Sequence, residues 1–255
     1  MCLVLFGWKA HPKYELILVA NRDEFHQRPT APADYWPDND LILAGRDLQA
    51  GGTWMGVTRN GRFAAVTNYR EPGQPGPREE RSRGELVRNF LEGGAAPLTA
   101  AHGLQAKSDR YRGFNLLLGC PGELAYLSNR DGEPALVEAG LHGLSNHLLN
   151  TEWPMVRAGR VALAACLQGE AIDSGALFSL MANDSPVAGC GPTGVDETLS
   201  PEGLARRFFI RSPVYGTRST TVLLVGRNGK VTFEERSFEA DGRPSGTSKF
   251  EFDVS

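Results

Sequence analysis

Cysteine is scarce and scattered. Cys2, Cys120, Cys166 and Cys190 are the four in 255 residues, and no two form a CxxC pair. That spacing argues against a zinc site and a disulfide scaffold, and it fits a reducing compartment. Neither sign of charge dominates: 27 Lys and Arg oppose 30 Asp and Glu, for a formal net charge of -3. No basic field is therefore offered to nucleic acid or to an anionic membrane. No apolar run approaches the roughly 18 residues that a membrane span needs. The first such run, CLVLFGW, has no basic leader and is followed by Lys9, His11 and Lys13, which is not the pattern of a signal peptide. No GxGxxG opens a helix, and no phosphate loop is present. These absences leave the expectation of a soluble, cytoplasmic protein with neither a nucleic-acid partner nor a membrane span.

The residues present are those of an ordinary globular chain, 41% hydrophobic and 22% charged. The length suffices to bury roughly three-quarters of the unfolded surface. No repeat, low-complexity tract or linker divides the sequence, so one domain over 1–255 is expected.

CLVLFGW (2–8) and ELILVAN (15–21) are apolar runs joined by KAHPKY, and they predict a hairpin buried on nearly both faces. The polar, proline-bearing stretch NRDEFHQRPTAPADYWPDND (21–40) predicts a loop after the second strand. TWMGVT and RFAAVTN flank an Asn60-Gly61 turn, FNLLLG and ELAYLSN flank Cys-Pro-Gly, and a late hairpin turns at Asn228-Gly229. TSKFEFDV predicts a further strand. Leu86, Val87, Phe90 and Leu91 form a helical stripe stopped by Gly93-Gly94. Further helices are predicted in LTAAHGLQAKSD, in PMVRAGRVALAACLQG behind Pro154 at its first position, and in IDSGALFSLMAND. EPGQPGPREERSRG (71–84) reads as an exposed loop and a candidate lid. Strands at both ends, helices between them and hairpin connections predict an α+β domain with antiparallel sheet.

Cys2 carries the most chemistry. Once Met1 is trimmed, its α-amine has an ordinary pKa of about 7.7–8.0 and lies within reach of its own thiol. One residue then supplies both nucleophile and general base. Taken alone, the same cysteine reads as a small core residue starting a strand. Asn21, Arg22, Asp23 and Glu24 leave the second strand where the hairpin returns to Cys2. A carboxylate there holds a terminal ammonium, and an arginine stabilises a thiolate. Asn68 in VTNYRE and Asn146 in HGLSNHLLN are donor types suited to an oxyanion, and Arg218 stands at the entrance of a late strand. Asp23 and Glu24 point to opposite faces of a strand, so no metal site is expected with His26. His142 and His147 are five apart and share no regular face. A histidine partner for Cys2 stays open among the five present.

The order Cys2, Asp23, Asn68, Asn146, Arg218 resembles the N-terminal-nucleophile hydrolases of the choloylglycine hydrolase and penicillin V acylase type. More specifically, MCLVLF, LILVANRDEF, GGTWMGV, VTNYR, GLSNHLLNTEWPMV and YGTRSTTVLL resemble the NRDE family, also called the transport and Golgi organisation family. The resemblance implies a four-layer αββα sandwich with two antiparallel sheets. It implies a cysteine amidohydrolase acting on a C–N amide bond of a small molecule. Cys2 would be its nucleophile, Asp23 would orient the amine, Asn68 and Asn146 would serve the oxyanion, and Arg218 would lie near the thiolate. Asn21, Arg22 and Glu24 are supporting candidates. The acylases carry their first arginine three residues before the aspartate, whereas this chain has Ala20 there and Arg22 adjacent to Asp23. No cofactor is expected. The alternative implied by the family is a non-catalytic protein that binds and traffics haem or a lipid or acyl-CoA.

Overall fold

The computed structural model describes residues 2–71, 81–187 and 206–254. Cys190 and residues 72–80 of the candidate lid lie outside them. β1 (Cys2–Trp8) and β2 (Tyr14–Phe25) form the expected hairpin. β3 (Thr30–Trp36), β4 (Asn39–Asp47), β5 (Met55–Thr58) and β6 (Phe63–Asn68) begin a second sheet. After α1 (Gly84–Glu92) and α2 (Pro97–Gln105) that sheet is completed by β7 (Phe114–Cys120), β8 (Glu123–Ser128) and β9 (Ala135–Leu136). β10 (Gly140–Leu144) returns to the first sheet, followed by α3 (Pro154–Cys166) and α4 (Ser174–Met181). β11 (Tyr215–Gly226), β12 (Lys230–Phe238) and β13 (Pro244–Asp253) finish it. The strand orders are β10-β1-β2-β11-β12-β13 and β3 through β9 in sequence, and the pairings are antiparallel.

Side-chain alternation along the strands produces four layers. Even positions of β1 and β2 (Val4, Phe6, Leu18) face Leu43, Val57 and Leu117 of the other sheet. Odd positions (Leu3, Leu5, Ile17, Val19) meet Met155, Leu163 and Phe178 of α3 and α4. The α1 stripe Leu86, Val87, Phe90 and Leu91 covers Ile42, Leu116 and Leu118 on the outer face of the second sheet. The arrangement is thus α+β with helix, sheet, sheet and helix in layers, as the resemblance implied. Each fully buried large apolar side chain contributes about 1.5–3 kcal/mol. No described helix is long and apolar enough to cross a membrane.

One expectation fails. The stretch 21–40 is mostly strand, not loop: β2 runs on through Phe25, and β3 and β4 take up much of the remainder. The polar end of β2 is held by a second partner, with Tyr215 opposite Phe25 and Thr217 opposite Asp23. Tertiary pairing overrides weak local propensity there. Pro32 is accommodated because β3 is the edge strand of its sheet.

Glycines let α3 approach the first sheet closely. A Cβ on Gly159 would stand 2.7 Å from both Leu5 methyl carbons, and one on Gly143 would stand 2.7 Å from Val156 Cγ1. Gly159→Val should therefore destabilise the fold by about 1–3 kcal/mol through overpacking. Urea unfolding monitored by circular dichroism measures this, and an unchanged midpoint would contradict the packing described.

Candidate active site

The β1–β2 register sets Cys2 opposite Arg22. Both belong to the set of positions facing the space between the sheets, where apolar packing gives way to an open cleft of about 450 Å³. Cys2, Arg22, Asp23, Glu24, Trp54 and Asn68 are among its walls.

A buried polar network forms the floor. The Cys2 main-chain nitrogen donates to Asn146 Oδ1 at 3.3 Å, and Asn146 Nδ2 donates to the Asn68 carbonyl at 2.7 Å. Ser145 Oγ donates to the Cys2 carbonyl at 2.8 Å. Thr67 Oγ1 donates to the Ser145 carbonyl at 2.7 Å, and Asn115 Nδ2 donates to Thr67 Oγ1 at 3.1 Å. Thr67, Asn115, Ser145 and Asn146 are all buried. Their bonds join the start of β1 to the ends of β6 and β7, so the two sheets are fixed to each other at the cleft. Asn146 has both halves of its amide engaged with protein. Asn68 is exposed and is among the residues lining the cleft, and its side chain has no hydrogen-bond partner among the described residues.

Burial raises the Cys2 thiol pKa, opposed by a hydrogen bond from the Asp23 backbone N–H and by the Arg22 charge. At neutral pH the thiol is protonated and needs a base. Burial likewise pushes Asp23 up to about 6, against a 2.7 Å hydrogen bond from the Thr217 hydroxyl and the Arg22 charge. The Arg22 guanidinium lies over the Trp54 ring at 4.2 Å and donates to Thr30 Oγ1 at 3.1 Å. Burial pulls its pKa below the ordinary arginine value. Glu24 stands 4.0 Å from Arg22 and 3.9 Å from Arg28, and Arg28 also binds Asp47 at 2.6 Å.

Two candidates face elsewhere. Asn21 points to the helical layer, where Nδ2 donates to the Met181 and Phe208 carbonyls. Arg218 sits at a bulge in β11 and donates to the carbonyls of Phe25, His26 and Arg28. Arg22, adjacent to Asp23, lines the cleft with Cys2, as do Arg28, Arg81 and Arg83. Thr67, Asn115, Ser145 and Thr217 carried no sequence signal of their own, being common residues whose partners lie far along the chain. Trp54 is visible in sequence as an aromatic beside a glycine pair, but its stack on Arg22 is tertiary. Among the described residues no group of three His, Cys, Asp or Glu side chains could hold a metal ion.

The family model for Transport and Golgi organisation 2 matches residues 1–240. The chain belongs to that family. It is 34% identical over 277 residues to the Mus musculus Transport and Golgi organization 2 homolog, covering 99% of each chain. It is 36% identical over 261 residues to the Bos taurus homolog, covering 93% of each. Among solved structures it is similar to the C2A mutant of conjugated bile acid hydrolase from Clostridium perfringens, at 8% identity and a TM-score of 0.45, over 100% of this chain and 98% of that one.

For this family member the Asp23 shift has a definite sign. Asp23 is protonated in both folded and unfolded states below its ordinary value of 3.8 and ionised in both above about 6. Between those values the unfolded chain ionises first, so stability falls as pH rises through the window, by about 3 kcal/mol in total. Asp23→Asn keeps the acceptor for Thr217 and removes the titration. Its stability relative to wild type should rise by that amount from about pH 3 to pH 7 in urea titrations, and a flat difference would contradict the buried carboxyl.

Proposed function

We propose that this protein is an N-terminal cysteine amidohydrolase that cleaves a C–N amide bond of a small molecule. The observation that carries the reading is the hydrogen bond from the Cys2 nitrogen to Asn146 Oδ1 at 3.3 Å, beside a thiol that opens on the cleft. Removal of Met1 turns that nitrogen into an α-amine held in place next to its own sulfur. The free amine takes the Sγ proton as Sγ attacks the substrate carbonyl carbon, and the carbonyl electron pair moves to oxygen. The amide of Asn68, a residue at the cleft wall, is the candidate donor to that oxyanion. The tetrahedral intermediate collapses, the C–N bond breaks, and the α-ammonium returns its proton to the departing amine. Water, deprotonated by the same amine, then attacks the thioester, releasing the acid and restoring the thiol. Asn146 and Asp23 position the amine, and Arg22 supplies positive charge near the sulfur.

Asn146 is assigned to the amine in this reading because its Oδ1 accepts from the Cys2 nitrogen, while its Nδ2 donates to the Asn68 carbonyl. Arg22 takes the place beside the thiolate that the acylase pattern would give to Arg218.

Intact-mass spectrometry should find the purified protein lacking Met1. A panel of N-acyl amines should be hydrolysed, and Cys2→Ala should lower the rate by about a thousandfold or more with its circular dichroism unchanged. A retained Met1 leaves the nitrogen an amide with no basic lone pair. That result, or saturable ligand binding with no product dependent on Cys2, would overturn the proposal in favour of a binding protein on the same fold.

A further inference from the structure

The cross-strand row that holds Cys2 does not stop at the cleft. Cys2 pairs with Arg22, Arg22 with Ser219, Ser219 with Ser237 and Ser237 with Gly246, crossing β1, β2, β11, β12 and β13. The row beneath it runs Ala20, Thr221, Glu235, Ser248. Below that, Leu18, Leu223, Phe233 and Phe250 belong to the apolar core. The gap between the sheets thus changes from apolar to polar within two rows. Over β11–β13 it holds a second, half-open cavity of about 380 Å³, within the size range of small-molecule sites. The Arg22–Trp54 stack is common to both spaces and forms the partition between them.

The walls of this cavity are unusual for a region between two sheets. Ser219 is 5% exposed, and its hydroxyl has no hydrogen-bond partner of normal geometry. Glu235 is 2% exposed. Its two carboxyl oxygens accept from the Ala33 N–H at 2.8 Å and from Thr221 Oγ1 at 3.2 Å, which leaves further lone pairs open. Burial raises the Glu235 pKa, and the nearby Ser219 hydroxyl opposes that shift. Thr30, Ser237, Ser245, Thr247 and Ser248 add hydroxyls, and Phe238 and Trp54 add aromatic surface. Two arginines (Arg22, Arg218) and two glutamates (Glu235, Glu239) balance in charge.

Each feature restricts the occupant. An apolar group would cover the Ser237, Ser245, Thr247 and Ser248 hydroxyls of the wall without offering them a partner. An anion would face two glutamates, and a cation two arginines. A neutral molecule with several hydroxyls gives donors to Glu235, acceptors to the arginines and either to the serines, and its C–H faces suit the aromatic rings. We infer that this second cavity is a binding site for a neutral, hydroxyl-rich small molecule of the polyol or monosaccharide kind. The inference is independent of the amidohydrolase reading, since Cys2 does not line this cavity.

Calorimetric titration of the full-length protein with myo-inositol, methyl glucoside, acetate and methylammonium tests it. At least one neutral probe should bind saturably and more tightly than either ion, with myo-inositol and the glucoside separating a polyol from a sugar. Ser237→Leu puts bulk into the cavity from a partly exposed position, and Glu235→Gln weakens the buried acceptor. Each should lower affinity for that probe by about tenfold, with circular dichroism establishing that the variant is folded, while Cys2→Ala binds like wild type. Absence of saturable binding by both neutral probes, tighter binding of either ion, or affinity unmoved in both folded variants would overturn the inference. None of those results would bear on the hydrolysis of amides at Cys2.

Discussion

The pairing of Cys2 with Arg22 across the first hairpin is the constraint on which the site depends. Side chains alternate along a strand, so a slip of one residue would turn Cys2 toward α3 and α4 and bring Leu3 to the cleft. The register is pinned far from the site, by Phe6, Leu18, Leu223 and Phe233 packing between the sheets. Several such burials at about 1.5–3 kcal/mol each outweigh any single polar contact at the cleft. The apolar core therefore places the polar end. The bulge at Arg218 follows from the same demand. It lets one residue leave the ladder to bind the carbonyls of the 25–28 turn and returns Ser219 to the Cys2 row.

Electrostatics at the cleft is set by burial first and by partners second. Both Cys2 and Asp23 are shifted toward their neutral forms, and burial is the largest cause in each. Arg22 and the local hydrogen bonds oppose that tendency without reversing it. A thiolate formed in advance is disfavoured here, which in the proposed reaction suits proton transfer concerted with attack better than a standing thiolate. Asp23, with a pKa of about 6, is mostly ionised at neutral pH and can oppose a positive charge that appears beside it. A carboxylate of ordinary pKa would do so equally well at neutral pH. What distinguishes Asp23 is that the charge is lost in mildly acidic conditions.

Layer order and most elements were legible in the sequence because they depend on periodicity. The runs at 2–8 and 114–119 and the α1 stripe at Leu86, Val87, Phe90 and Leu91 each show in a short window. The strands at 21–25 and 30–36 were not legible, since their polar and proline residues are held in place by β11 and by an edge position. At the site, the length of the hairpin alone set Cys2 beside the Asn21–Glu24 stretch, where the structure pairs it with Arg22. Arg22 and Arg218 could not be assigned that way: one stacks on Trp54 and the other sits on a bulge, and neither feature leaves a trace in spacing. Ser145 and Asn115 were invisible for the same reason, because their bonds span 30 to 143 positions of chain.

The floor and the walls of the cleft differ in kind, and the difference has a functional consequence. On the floor, Thr67, Asn115, Ser145 and Asn146 are buried and bonded to one another or to main chain. Such a network is costly to distort, since any break leaves a buried polar group unpaired. On the walls, Glu24 and Arg28 make charge contacts that are partly exposed, where screening makes exchange of partners cheap. A bound molecule can replace those wall contacts without disturbing the floor. The position of the Cys2 nitrogen is therefore insensitive to what occupies the cleft, while the choice of occupant falls to the walls.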